Sequence, residues 1–168
     1  MSSKRLLIVF SAIIALLMVA GAVSFVRYAR EHAPNPALVA VAPFDIFVPG
    51  LEPWRVRLAE GLTQELQSQA PLSAVPQAVV RERWQGESRP ELGAVDLARR
   101  TSAGVAVYGR LDPVAGKSDS LRVQMIAIAA GTGRVVVSID RRWPVAELAS
   151  LARVLADQVR RDYRYPSD

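Results

Sequence analysis

The residues Ala115 to Ser118 read AGKS and resemble the end of a phosphate-binding loop. A complete loop of this kind has a glycine five residues before Gly116, where this chain has Leu111. It also needs a helix directly after the loop, because the amides of the helix N-terminus hold the phosphate groups. The residues that follow are instead typical of a strand. We therefore predict an exposed hairpin loop rather than a phosphate site.

Two carboxylates are placed where they could bind a ligand or transfer a proton. Asp45 comes just after the first predicted strand, and ligands of open α/β sheets favour the carboxyl ends of strands. The alternative for Asp45 is a turn-forming role. Glu65 lies near the apolar stripe of a predicted helix, where partial shielding suits a general acid or base. Because nothing supplies a second catalytic partner, we expect Glu65 to pair with an arginine at the margin of the core.

The segment from Asp140 to Trp143 (DRRW) could form a basic and aromatic patch for an acidic or glycan partner. The alternative is a solvated strand end in which Trp143 closes the core. Thr132, in the predicted hairpin AGTG, and Trp143 join Asp45 and Glu65 as candidate ligand-binding residues. We assign no catalytic residue.

The sequence has no cysteine and a single histidine, His32. Disulfides, thiolate metal sites and zinc sites of the histidine or cysteine type are therefore excluded. A histidine-based triad within the folded part is excluded as well. We predict no metal and no cofactor.

The formal net charge of +5 invites a nucleic-acid interpretation. Residues 37–168, however, carry 17 basic and 15 acidic side chains, so the folded part is nearly balanced. The remaining surplus flanks an apolar run near the N-terminus, where it is typical of a membrane anchor. We therefore predict no nucleic-acid partner.

The apolar run from Leu6 to Val26 contains 21 residues and no charge. As a helix it would extend about 31 Å, enough to cross a hydrocarbon core of about 30 Å. We predict a single-pass anchor in the inner membrane that contacts lipid along this run. The alternative is a secretory signal, since Ala20–Ala22 fits a small-residue cleavage site. The positive-inside rule favours a cytoplasmic N-terminus, which places the rest of the chain in the periplasm.

The chain is expected to hold one globular domain. We predict a cytoplasmic N-terminus (1–5), the anchor (6–26), a proline-containing tether (27–37), the domain (38–163) and a tail (164–168). Hydrophobic periodicity predicts the order β-α-β-α-β-β-β-α within the domain. A parallel start followed by an antiparallel meander indicates an α/β fold, in which helices pack on a mixed sheet.

For two of the predicted helices, the sequence also predicts the buried face and the ends. Ser88 and Glu91 have capping-box spacing for a helix that Gly104 closes. The buried face of this helix is predicted from the positions of Leu92, Val95 and Ala98.

The last predicted helix runs from about Val145 to Arg161. Its expected core stripe is Leu148, Leu151, Leu155 and Val159, and its expected outward residues are Arg153, Arg160 and Arg161.

Gly61 lies inside the helix predicted from Trp54 to Ala70, where a glycine costs about 1 kcal/mol relative to alanine. We expect Gly61 to let this helix approach another backbone, such as a strand of the sheet, more closely than a Cβ would allow.

Four stretches occur in an order and spacing that resemble a known family. The sequence is similar to the amino-terminal-domain module of the Tol-system periplasmic protein TolB, and more closely to the stand-alone TolB-like domains attached to bacterial adenylate cyclases and TPR proteins. The stretches are VAVAPF (39–44), EGLTQEL (60–66), ELGAVDLARRTSAGVAVYGRL (91–111) and IAIAAGTGRVVVSIDRRW (126–143). The resemblance implies a mixed α/β sandwich and a non-catalytic module for recognition or assembly at the cell envelope. It does not bring the β-propeller of TolB, which this chain is too short to contain, and it brings no cyclase activity and no TPR repeats.

These observations lead to one main hypothesis and two alternatives. The main hypothesis is a membrane-anchored, non-catalytic envelope module that recognises a protein or ligand from the periplasm. The first alternative is a small membrane-tethered enzyme that uses Asp45 or Glu65. The second is a structural subunit of a secretion or flagellar assembly.

Overall fold

The computed structural model describes residues 34–86 and 89–163. The predicted anchor, the tail and Ser88 lie outside these residues. Among the residues that the structure describes, none of the helices is long and apolar enough to cross a membrane.

A mixed sheet forms the centre of the domain, as predicted. Its main strand order is β3-β1-β4-β5-β6, and β2 also pairs with β4. The pairs of β1 with β3, of β1 with β4 and of β2 with β4 are parallel, whereas β4, β5 and β6 form an antiparallel meander. The strands are β1 (Asn35–Val41), β2 (Asp45–Ile46), β3 (Ser73–Ala74), β4 (Ala103–Val114), β5 (Lys117–Ala129) and β6 (Val135–Pro144).

Helices cover both faces of the sheet. In chain order they are α1 (Trp54–Ser68), α2 (Gln77–Arg83), α3 (Pro90–Arg100) and α4 (Leu148–Asp162), and a 3₁₀ turn (Val145–Glu147) precedes α4. The helices α1 and α4 enclose the larger core with one face of the sheet. The helices α2 and α3 enclose a smaller, alanine-rich core with the other face.

The first predicted strand is interrupted, and the tether is shorter than predicted. Strand β1 already begins at Asn35, because the backbone of Asn35 donates to the carbonyl of Ser102 at 2.8 Å. After Val41 the chain leaves the ladder around Pro43, which has no N–H to donate. It then returns to β4 as β2, a two-residue strand that the sequence prediction missed.

The interruption is positioned by a contact between Phe44 and Gly109. Phe44 is fully buried, and its ring lies directly against Gly109 of β4. A Cβ at Gly109 would lie 2.2 Å from Cε1 of Phe44, which is far inside van der Waals contact. Gly109 therefore provides the space that lets the ring lie on the sheet and lets β2 re-join β4.

The close approach at Gly61 differs from the expectation. A Cβ added there would lie 3.1 Å from Cβ of Ala152, so the neighbour is helix α4 and not a strand. The contact atom is also a side-chain carbon rather than backbone. Two small residues thus let α1 and α4 pack closely, which explains a glycine within a helix.

Helix α3 differs from its prediction in boundary and in face. It ends at Arg100, and Gly104 is the second residue of β4. Its N-cap is Arg89, which makes no side-chain capping bond, while Pro90 occupies the first turn as expected.

The buried face of α3 is formed by Ala94, Leu97 and Ala98, whereas Leu92 is 62% exposed. The predicted position of Leu92 is wrong because it lies about 140° around the helix from Leu97. In contrast, the predicted core stripe of α4 is confirmed.

Replacing Gly109 by alanine tests the contact that interrupts the first strand. We expect Gly109→Ala to lower the free energy of unfolding by about 1–3 kcal/mol, because the buried ring of Phe44 cannot move into solvent. The measurement is chemical denaturation of the full chain in detergent. Gly131→Ala is the matched control, since no atom lies within 4 Å of a Cβ at that position. Equal stability of the two variants would contradict the packing role of Gly109.

Candidate interaction surface

Asp45 holds the short strand β2 to the sheet. Its carboxylate accepts a hydrogen bond from the Tyr108 hydroxyl at 2.9 Å and pairs with the Arg55 guanidinium at 3.2 Å. Tyr108 is only 7% exposed. Burial, and secondarily the hydrogen bond to Asp45, raises the pKa of the Tyr108 phenol, which therefore stays protonated and donates. Asp45 thus has structural partners on two elements.

Glu65 lies at the other end of α1, half-buried as predicted. Its carboxylate is 3.6 Å from Nε of Arg153, which is the arginine pair expected at the core margin. Asp45 pairs with the second residue of α1, whereas Glu65 is the twelfth residue, so about 15 Å of helix separates their positions. The structure does not bring the two candidate carboxylates together.

The expectation that Arg160 faces solvent is wrong. Its side chain is 11% exposed and lies between α4 and α1. The guanidinium donates to the backbone carbonyl of Glu65 and, at 2.9 Å, to Oδ1 of Asp157. The last carbonyls of α1 lack partners within the helix and carry partial negative charge, which an arginine from a neighbouring helix satisfies.

Thr132 and Trp143 also have local roles. The Thr132 hydroxyl accepts from the backbone of Arg134 at 3.4 Å within the β5–β6 hairpin. Trp143 is half-buried against the larger core, and its Nε1 donates to the carbonyl of Glu147 at 3.1 Å. This agrees with a strand end at which Trp143 closes the core.

The residues from Asp140 to Trp143 do not form one surface. Successive residues of a strand point to opposite faces, so Arg141 and Trp143 lie on the face of α4 while Asp140 and Arg142 lie on the other face. These four residues therefore do not form one patch, in agreement with the alternative of a solvated strand end, although two of them belong to a larger charged surface.

This surface, which we call the open face, lies on the side of the sheet opposite α4, beyond the cores beneath α2 and α3. Its residues alternate with buried core residues along the meander β4–β6. They are Arg110, Asp112, Arg122, Gln124, Ser138, Asp140 and Arg142. The sequence prediction missed most of them, although the alternation along each strand could have indicated them.

The strand register arranges these residues in rows. One row contains Asp112, Arg122 and Arg142, directly opposite one another on β4, β5 and β6. The next row contains Arg110, Gln124 and Asp140.

Each ion pair of the open face joins a residue of one row to a residue of the other row. Arg110 binds Asp112 on its own strand through two contacts of 2.7 and 2.8 Å. Arg122 binds Asp140 through two contacts of 2.5 and 2.8 Å, and Gln124 donates to the same carboxylate at 3.0 Å. Asp112 and Asp140, the two carboxylates of the open face, are thus each bound to an arginine of the same face.

The open face adjoins two open depressions. One, of about 470 Å³, is lined by the β4–β5 hairpin and by Arg122, Asp140, Arg141 and Arg142. A smaller one, of about 160 Å³, lies near Tyr108, where Arg110 and Gln124 contribute to its wall. No group of side chains that could hold a metal ion occurs among the described residues.

An exposed aromatic ring lies beside the open face. Phe47, in the loop that follows β2, is 56% exposed, and the Arg110 guanidinium lies 5.3 Å from the centre of its ring. This is the distance of a cation–π contact. An arginine and an aromatic ring thus meet at this edge of the open face, and both residue types are enriched at protein interfaces.

No protein-family model matches the sequence, and no curated protein matches it. Solved structures do share the fold. TolB from Acinetobacter baumannii has a TM-score of 0.51 at 12% identity, over 77% of this chain and 29% of the TolB chain. The C-terminal domain of LpoB from Escherichia coli has a TM-score of 0.50 at 17% identity, over 66% of this chain and 84% of that chain. The chain thus has a TolB-like fold and spans less than a third of TolB itself.

The ion pair of Asp140 predicts a specific response to acid. The hydrogen bonds from Arg122 and then Gln124 lower the pKa of Asp140 from 3.8 to about 2. Because the pKa is lower in the folded state, the stabilisation is complete above the unfolded pKa and is lost as the pH falls towards about 2.

We therefore expect Asp140→Asn to lower the melting temperature at neutral pH, and this difference from the wild type to shrink below about pH 4. Thermal unfolding of the full chain at a series of pH values measures it. Asp119→Asn, which removes an exposed carboxylate bonded only to the Ser120 hydroxyl among the described residues, is the control. A pH-independent difference for Asp140→Asn would contradict this ion pair.

Proposed function

We propose that this chain is a membrane-anchored, non-catalytic module of the bacterial cell envelope whose domain recognises a protein partner in the periplasm. The TolB-like fold is the observation that carries the proposal, since it agrees with the family that the four sequence stretches resemble. In that family the module serves recognition or assembly. The uncharged run from Leu6 to Val26 supports anchoring in the inner membrane.

The geometry of the candidate carboxylates counts against the enzyme alternative. Asp45 is held by Tyr108 and Arg55, and Glu65 lies near Arg153 at the far end of α1. A pair of carboxylates that shares acid and base roles must face one substrate. These two groups are positioned instead as supports of β2 and of the α1–α4 contact.

The location is tested with the full chain expressed in a bacterial host. A reporter that is active only outside the cytoplasm, fused after Asp168, is expected to be active. The chain is expected to stay in the membrane after alkaline extraction and to keep its full mass of 18.3 kDa. Replacing both Leu16 and Leu17 by arginine should abolish retention, because each charge at a span centre costs about 2.5–3.5 kcal/mol.

Tyr28→Arg is the matched control, because it adds a charge just outside the apolar run and should leave retention unchanged. Reporter activity only inside the cytoplasm would overturn the proposed topology. A chain shortened at Ala22 and released from the membrane would identify the run as a cleaved signal and contradict the anchor.

A further inference from the structure

The open face carries one guanidinium that its own ion pairs do not use. It has three arginines but only two carboxylates, and those carboxylates bind Arg110 and Arg122. Arg142 is exposed and has no carboxylate partner among the residues that the structure describes. The positive surplus of this surface therefore lies at its edge strand, β6.

The position of Arg142 is unfavourable for the fold. It lies directly opposite Arg122 in the β5–β6 ladder, and like charges at such positions are destabilising. Arg122 donates to Asp140 through Nε and Nη2, which leaves its Nη1 without a bond to that carboxylate. Two neighbouring guanidinium groups thus offer free donors beside the depression of about 470 Å³.

The chemistry of these donors indicates their ligand. Free N–H groups of adjacent guanidiniums match the planar geometry of a carboxylate, which can accept from both. A carboxylate at this place would also relieve the repulsion between Arg122 and Arg142. The depression is open, so a side chain can enter it without any movement of the sheet.

The mixture of signs on the open face favours a protein as the source of the carboxylate. Asp112 and Asp140 lie among the arginines and would repel a uniformly negative surface, such as an anionic membrane. A protein segment with charges of both signs complements the pattern, because its acidic side chain can meet Arg142 while its basic side chains lie near the aspartates.

We propose that the open face is the docking surface for the envelope partner, and that an acidic side chain of the partner binds between Arg122 and Arg142. This inference rests on the proposed function, since it names the surface and the chemistry by which the partner is recognised. The adjoining ring of Phe47 supplies apolar contact area at the edge of the same surface.

Photocrosslinking in living cells tests the proposal with the full chain. A benzophenone amino acid is placed at Ser138, which is exposed on the open face, or at Ala149, which is exposed on α4. We expect a protein adduct from Ser138 whose crosslinked segment, mapped by mass spectrometry, carries an aspartate or glutamate. Arg142→Glu should lower its yield about tenfold, as expected for a loss of about 1.4 kcal/mol.

Two controls distinguish the loss of one ion pair with the partner from a general effect of surface charge on the adduct yield. Arg57→Glu makes the same charge change at an exposed position of α1 and should leave the adduct unchanged. Exchanging the mapped acidic residue of the partner for arginine should restore the adduct with Arg142→Glu. A melting temperature of Arg142→Glu that is not lower than that of the wild type, and an unchanged one for Arg57→Glu, would show that the domain remains folded, since a glutamate opposite Arg122 replaces a like-charge pair by an attractive one.

The other outcomes contradict distinct claims. A protein adduct from Ala149 but none from Ser138 would overturn the docking surface and leave the proposed function in place. A phospholipid adduct, or an adduct with a second copy of this chain, at Ser138 would overturn the proposed partner. An adduct insensitive to Arg142→Glu would overturn the carboxylate site. No protein adduct from either position would contradict the proposed function itself.

Discussion

The packing of Phe44 against Gly109 determines how the first part of the chain meets the central strand. Strand β4 pairs with β1 near its start and with β2 near its end, and Phe44 lies in the segment between β1 and β2 that leaves the ladder. Because Gly109 has no side chain, the ring fills the position that a Cβ would occupy. The register of β2 follows from this contact and places Asp45 opposite Arg110, within reach of Tyr108.

Alternation along the meander places the larger core and the charges of the open face on opposite sides of the same strands. On β4, for example, Val107 and Leu111 are buried in the larger core, while Arg110 and Asp112 lie on the opposite face. The same backbone therefore fixes both the core and the spacing of the charges. Within the open face, the ion pairs of Arg110 with Asp112 and of Arg122 with Asp140 fix the orientation of four of these side chains.

Much of the fold could be predicted from the sequence because long periodic segments carry their own signal. The three meander strands and the core stripe of α4 are examples. Strand β2 was missed because two residues have no periodicity, and its pairing depends on Gly109, more than 60 residues away in the chain. Arg160 was misplaced because a helix pattern does not reveal the unpaired carbonyls of a neighbouring helix.

Less of the candidate site than of the fold could be predicted from the sequence. Its ion pairs join residues such as Arg122 and Asp140, which meet through the register of the β5–β6 hairpin. That register shifts between Ala127 and Ile128, and such a bulge is not visible in either strand alone. The residues Asp140 to Trp143 do not form one patch for a simpler reason, since neighbouring residues of a strand point to opposite faces of the sheet.

The central claim is that the contact between Phe44 and Gly109 positions β2 on β4. A double-mutant cycle with Tyr108→Phe and Asp45→Ala measures the coupling energy across that junction. The account predicts a coupling of about 1 kcal/mol in the wild-type background and a value near zero when Gly109→Ala is also present. The same coupling energy in both backgrounds would contradict it.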